Sequence, residues 1–181
     1  MQLRIKGWLF ILLLSLFSAG AEPSPCRYPV GPAPDLPVGA EVGKLAPDFT
    51  LRDLSSGEPV SLSQLRGCVV LLEFWASWCS ACRSSIPYVE GLATRYRAQG
   101  LVTVRVSLDR EAKRAVGFLS ALGVKEGMAL WGPLDQVMDV VRLYHVVAIP
   151  RVFLLDREGV VRFSGHPSQL LSGLIEPLLG S

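Results

Sequence analysis

Val69-Val70-Leu71-Leu72-Glu73-Phe74-Trp75-Ala76-Ser77-Trp78-Cys79-Ser80-Ala81-Cys82 is the stretch that decides the fold. Its first seven residues are apolar but for Glu73, as in a central strand covered on both faces. Two cysteines three apart follow, and then a helical pattern in which Ile86, Val89, Leu92, Ala93 and Tyr96 form the stripe up to Gly100. Strand, short loop and helix thus place Cys79 at a helix N-terminus. There the amide N–H groups and the positive end of the dipole favour a thiolate. A dithiol at this spacing closes and reopens a small disulfide by exchange.

Outward from this unit, residues 49–51 and 59–62 read as short strands across the turn Ser55-Ser56-Gly57. Residues 101–108 read as a second buried strand and residues 110–122 as a helix stopped at Gly123. Residues 128–131 follow as a strand and 135–144 as a helix with Asp135 as N-cap. Residues 151–156 and 160–164 form a hairpin across Arg157-Glu158-Gly159, and residues 170–179 a last helix with Pro177 as a potential early stop. The order βαβα then ββα gives an α/β fold, a central mixed sheet flanked by helices, with an N-terminal β extension. The domain spans 43–181. Residues 22–42 hold six prolines between Pro23 and Pro37 and read as an extended lead-in.

The N-terminus carries Arg4 and Lys6, an apolar run from Trp8 to Phe17 and then Ser18-Ala19-Gly20-Ala21. Residues 1–21 read as a secretory signal peptide cut after Ala21. The run is shorter than the roughly 20 residues of a spanning helix; an uncleaved anchor is the alternative, and the only route to membrane contact. Pro25 before Cys26 argues against lipid attachment. The expected compartment is the periplasm, where disulfides persist. Loss of the signal removes two of 18 basic residues and none of the 16 acidic ones, so the mature chain is near neutral. That leaves no basic field for nucleic acid.

The four cysteines are Cys26, Cys68, Cys79 and Cys82. One close pair and two isolated histidines, His145 and His166, do not make a zinc site, and no metal or other cofactor is expected. Cys26 and Cys68 leave three options: a structural disulfide, a buried free Cys68 with a reactive Cys26, or intermolecular pairing. An intrachain bond closing so long a loop contributes about 3–4 kcal/mol in the chain-entropy model.

Glu73 is a carboxylate in an apolar strand. Burial there raises its pKa and suits it to act as general base for Cys82. Cys79 is the expected nucleophile and Cys82 the more buried resolving thiol. Trp78 reads as an exposed aromatic contact for partners.

These residues together resemble the thioredoxin superfamily and, within it, the TlpA/ResA-type extracytoplasmic thiol–disulfide oxidoreductases. The resemblance is carried by residues 73–82, by Pro87 five residues after Cys82, by Ile149-Pro150, and by Ala46-Pro47-Asp48-Phe49-Thr50-Leu51 and the stretch 153–159. It implies a thioredoxin-like fold and a cis Pro150 that keeps metal ions from the thiols. It also implies an Ile149 backbone free to pair with an incoming peptide, and Glu73 as the family's buried acid. It further implies oxidised client proteins, such as apocytochromes c or copper-site assembly proteins, and a membrane-embedded thiol electron donor. Arg151 departs from the pattern, in which a small polar or acidic residue follows the proline. Ser80-Ala81 matches neither thioredoxin nor the strong oxidants. The leading expectation is a reductant of client disulfides. An oxidant or isomerase is the alternative, and a copper-binding assembly factor a third. Ala46-Pro47-Asp48-Phe49 also resembles the start of peroxiredoxin domains, but their Pro-x-x-x-Thr-x-x-Cys is absent.

Overall fold

The computed structural model describes Cys26 and residues 31–180. The segment read as a signal peptide lies outside them. Among the described residues no helix is long and apolar enough to cross a membrane.

The strands are β1 (Thr50–Asp53), β2 (Pro59–Ser61), β3 (Val69–Trp75), β4 (Leu101–Ser107), β5 (Met128–Trp131), β6 (Arg151–Leu155) and β7 (Val161–Gly165). They form one mixed sheet in the order β2-β1-β5-β4-β3-β6-β7. β3, β4 and β5 run parallel, and β6 joins β3 antiparallel. The helices are α1 (Ser80–Tyr96), α2 (Ala112–Ala121), α3 (Leu134–Leu143) and α4 (Ser172–Leu179).

β3 is buried along its whole length, and its alternation divides the core. Val70, Leu72 and Phe74 pack with Val137, Val140, Val141 and Tyr144 of the α3 side. Val69 and Leu71 pack with Val89, Leu92 and Tyr96 of α1 and with Ile175 and Leu179 of α4. Trp75 packs with Cys82 and Ile86 of α1 and with Ala115, Phe118 and Leu119 of α2. Strand β3 thus delivers the CxxC turn to the edge of a closed core on the α1 side.

Two local expectations are corrected. Pro133, not Asp135, is the N-cap of α3, and Asp135 lies in the first turn, where its charge complements the helix dipole. Pro177 does not end α4, which runs through it to Leu179. The helix loses one backbone hydrogen bond there and keeps its buried Ile175 and Leu179 contacts.

The later part of the proline-rich segment folds onto the domain. Leu45 N–H donates to the Pro37 carbonyl at 3.0 Å and Gly43 N–H to the Val161 carbonyl at 2.8 Å. Gly43 has φ +90°, a conformation that an L side chain would strain. Cys26 and Cys68 are joined by a disulfide, with Cα atoms 4.9 Å apart across 42 residues of sequence. Both lie in the core on the α3 side.

Candidate active site

Cys79 and Cys82 are joined by a disulfide with Cα atoms 5.3 Å apart. Cys79 is the N-cap of α1, and its Sγ accepts a hydrogen bond from the Cys82 amide at 3.1 Å. On reduction the same amide faces a thiolate at the positive end of the helix, which favours the ionised form. Cys79 Sγ also lies 3.7 Å from the Ile149 carbonyl oxygen, which brings the loop before β6 against the sulfur. The Ile149–Pro150 bond is cis. Cys79 is 8% exposed and Cys82 fully buried, so a second protein reaches Cys79 first.

The exposed surface on this side of the molecule mixes apolar and charged side chains. Trp78 is 65% exposed and Val147 99%. Trp78 also walls an open cleft of about 740 Å³ with Leu108, Arg110, Arg114, Leu134 and Met138. Arg151 does not reach toward a partner surface. Its Nη2 donates to Ser164 Oγ at 2.7 Å and its guanidinium lies over Phe153.

Glu73 is fully buried. It shares the face of β3 with Trp75, against which Cys79 and Cys82 pack. Burial pushes its carboxyl up to about 7; Arg105 opposes that shift and Glu90 adds to it. Arg105 sits beside Glu73 in the β3–β4 register, with its Nε 3.3 Å from Glu73 Oε2. Sequence reasoning did not single out Arg105 or Glu90. The signal was there: Arg105 is a charge in an apolar strand, like Glu73, and two such strands are cheapest when their opposite charges meet.

Asp109 was missed as well. It is buried beyond the end of β4, where its Oδ2 accepts from the Ser77 amide and from Ser107 Oγ, both at 2.9 Å. Its Oδ1 accepts from Ser77 Oγ at 2.6 Å. These bonds fix the loop that carries Trp78 and Cys79. His166 is engaged elsewhere, with Nδ1 2.8 Å from Ser168 Oγ. His145 follows α3 at φ +49°.

The sequence pattern of the AhpC/TSA family matches residues 42–164. The chain belongs to that family. Within it, the thiol–disulfide oxidoreductase ResA of Bacillus thuringiensis subsp. konkukian is 30% identical over 121 residues, 67% of each chain. ResA of Bacillus subtilis is 35% identical over 120 residues, 66% of this chain and 64% of that one. A crystal structure from Chlorobium tepidum, described as a thiol:disulfide interchange protein DsbE, superposes with a TM-score of 0.70 at 35% identity. It covers 78% of this chain and all of that one. The chain is a thiol–disulfide oxidoreductase of the ResA/DsbE type with a thioredoxin-like fold.

Proposed function

We propose that this enzyme reduces disulfides of client proteins in the periplasm, and that Cys79, Cys82 and Glu73 carry the reaction. The Cys79 thiolate attacks one sulfur of a client disulfide. The client S–S bond breaks, one client thiolate leaves, and a mixed disulfide joins the two proteins. Glu73 takes the proton of Cys82. The Cys82 thiolate attacks Cys79 Sγ, breaks the mixed disulfide and releases the second client thiolate. Two electrons have passed to the client, and the Cys79–Cys82 disulfide remains. A membrane-embedded thiol donor re-reduces it. Trp78 and the cleft beside it receive the client, and the Ile149 backbone pairs with the client chain. Oxidised apocytochromes c and copper-site assembly proteins are the client classes.

The observation that carries the direction of flow is the setting of Cys79 Sγ. Its polar neighbours are the Cys82 amide and the Ile149 carbonyl, neither of them a cation. Weak stabilisation of the thiolate leaves the oxidised form relatively stable, which makes a reductant.

The test is the equilibrium potential of the pair, read by mass spectrometry of the Cys79–Cys82 peptide in redox buffers so that Cys26 and Cys68 do not contribute. The expected value lies near that of thioredoxin, about −270 mV. A value near about −120 mV, that of the strong oxidants, overturns the reading and makes the enzyme an oxidant or isomerase.

A further inference from the structure

A guanidinium is a flat fork that grips a carboxylate with two parallel bonds. Arg105 and Glu73 are neighbours on one face of the sheet, both buried, yet they do not form that grip. Arg105 Nη2 is 2.8 Å from Glu90 Oε2 instead, and Nη1 donates to the Glu126 carbonyl at 2.6 Å. Glu90 is fixed in turn, its Oε1 accepting from the Lys125 and Glu126 amides at 2.7 and 2.9 Å. Gly127 holds that segment down. It sits at φ +82°, and a Cβ there would overlap the Thr103 carbonyl oxygen. What Arg105 offers Glu73 is Nε alone, off the hydrogen-bond direction. Among the described residues, neither Glu73 oxygen has a hydrogen-bond donor.

The arrangement lies between two useless extremes. A buried carboxylate with no cation stays protonated and takes no proton from a thiol. One clamped by two charge-assisted bonds is held ionised and has little affinity for a proton.

We propose that Arg105 is a positioning residue for Glu73, and that Glu90 is a tether that keeps the Arg105 fork from closing on it. The proposal rests on the reading of Glu73 as proton acceptor for Cys82. Arg105 supplies charge to the carboxylate while Glu90 holds Nη2 away and the Glu126 carbonyl, itself tied to Glu90 through the Glu126 amide, holds Nη1. The charged groups acting on Glu73 are Arg105 from β4 and Glu90 from α1. From β6 its register partner is Val152, and α2 brings Ala115, Phe118 and Leu119 to the same core region. The other charged groups on that side are Asp109, held by Ser77 and Ser107, and Lys125 and Glu126, whose amides bind Glu90; the active-site cysteines are disulfide-bonded.

The two substitutions predict opposite shifts, which a merely structural role does not. Glu90→Gln removes an anion and loosens the hold on Nη2 of Arg105, so the Glu73 midpoint falls by about one pH unit. Arg105→Met removes the cation, so the midpoint rises by a similar amount. The measurement is a carbon-13 carboxyl NMR titration of the oxidised protein, in which neither active-site thiol titrates. Circular dichroism checks the fold. Should Arg105→Met unfold, Glu90→Gln carries the test alone, since the neutral amide keeps the shape and an acceptor. A Glu73 midpoint that stays put or rises in Glu90→Gln overturns the tether. Single-turnover release of the mixed disulfide separates the two ideas. If the midpoints move as stated but Glu73→Gln resolves at the wild-type rate, the tether stands and the base reading fails. If Glu73→Gln slows resolution and the midpoints do not move, the base stands and the tether fails.

Discussion

The two faces of β3 are built from one strand yet do different work. Val70, Leu72 and Phe74 look onto an apolar core shared with Tyr144 and Phe153, and the Cys26–Cys68 disulfide closes its lower end. The opposite face begins the same way, with Val69 and Leu71, but turns polar toward the active site: Glu73, then Trp75 beside the CxxC. The adjoining strand follows suit with buried Thr103, Arg105 and Ser107. Burying polar groups costs stability unless each is partnered. One face therefore supplies the stability, and the other spends part of it on a proton acceptor and a fixed loop.

The strongest way to break this comparison is at Phe74. Its ring centroid lies 5.4 Å from Tyr144 and 5.9 Å from Phe153, and no part of it is exposed. Phe74→Ala is expected to cost about 3–5 kcal/mol in denaturant unfolding, from lost burial and the cavity left behind. The Cys79–Cys82 potential of the folded variant is expected to move by less than about 30 mV. A larger move would mean that the two faces are coupled through the strand and are not separate in role.

The next effect belongs to the polar face and depends on pH. Glu73 binds its proton more tightly in the folded chain, at about 7, than at its ordinary 4.5. Between those values the native state holds a proton that the unfolded state has released, so stability falls as pH rises. The contribution is fully present below pH 4.5 and lost through pH 7, a change of roughly 3 kcal/mol. Wild type should therefore lose about that much stability relative to Glu73→Gln between pH 4.5 and pH 8. Parallel stability profiles for the two proteins would show that Glu73 is ionised throughout and is no proton acceptor near neutrality.

What the sequence made legible follows the same division. The apolar face, the strand–loop–helix unit and the element order could be read because periodicity and cysteine spacing are local signals. Glu73 stood out as a lone charge in a seven-residue strand. Its partners did not, because the Glu73–Arg105 contact depends on the β3–β4 register, and Glu90 reads as one more polar position on a helix that also carries Arg83 and Arg95. The N-cap of α3 was misplaced for a related reason. Asp135 has the right chemistry for a cap, but the chain enters the helix two residues earlier, after Pro133. Asp109 gave no periodic signal, since it lies past the end of β4 and its partner Ser77 is 32 residues away.

Asp109 sharpens the comparison with the smallest effect. Three donors converge on its carboxylate: the Ser77 amide, Ser77 Oγ and Ser107 Oγ. The hydroxyls can rotate, but the amide N–H cannot. In Asp109→Asn the side-chain oxygen can keep the Oδ2 place and accept from the Ser77 amide and Ser107, while the new NH₂ donates to Ser77 Oγ. Geometry survives and only the charge assistance is lost, which is worth about 1 kcal/mol. Asp109→Ala leaves the part-buried Ser77 amide without its partner and costs about 1–3 kcal/mol. The Asn variant should therefore reduce a protein disulfide at close to the wild-type rate, and the Ala variant more slowly, because the loop it loosens carries Trp78 and Cys79. If Asn is as slow as Ala, the charge of Asp109 matters more than its shape, and the polar face acts on the thiols by field as well as by position.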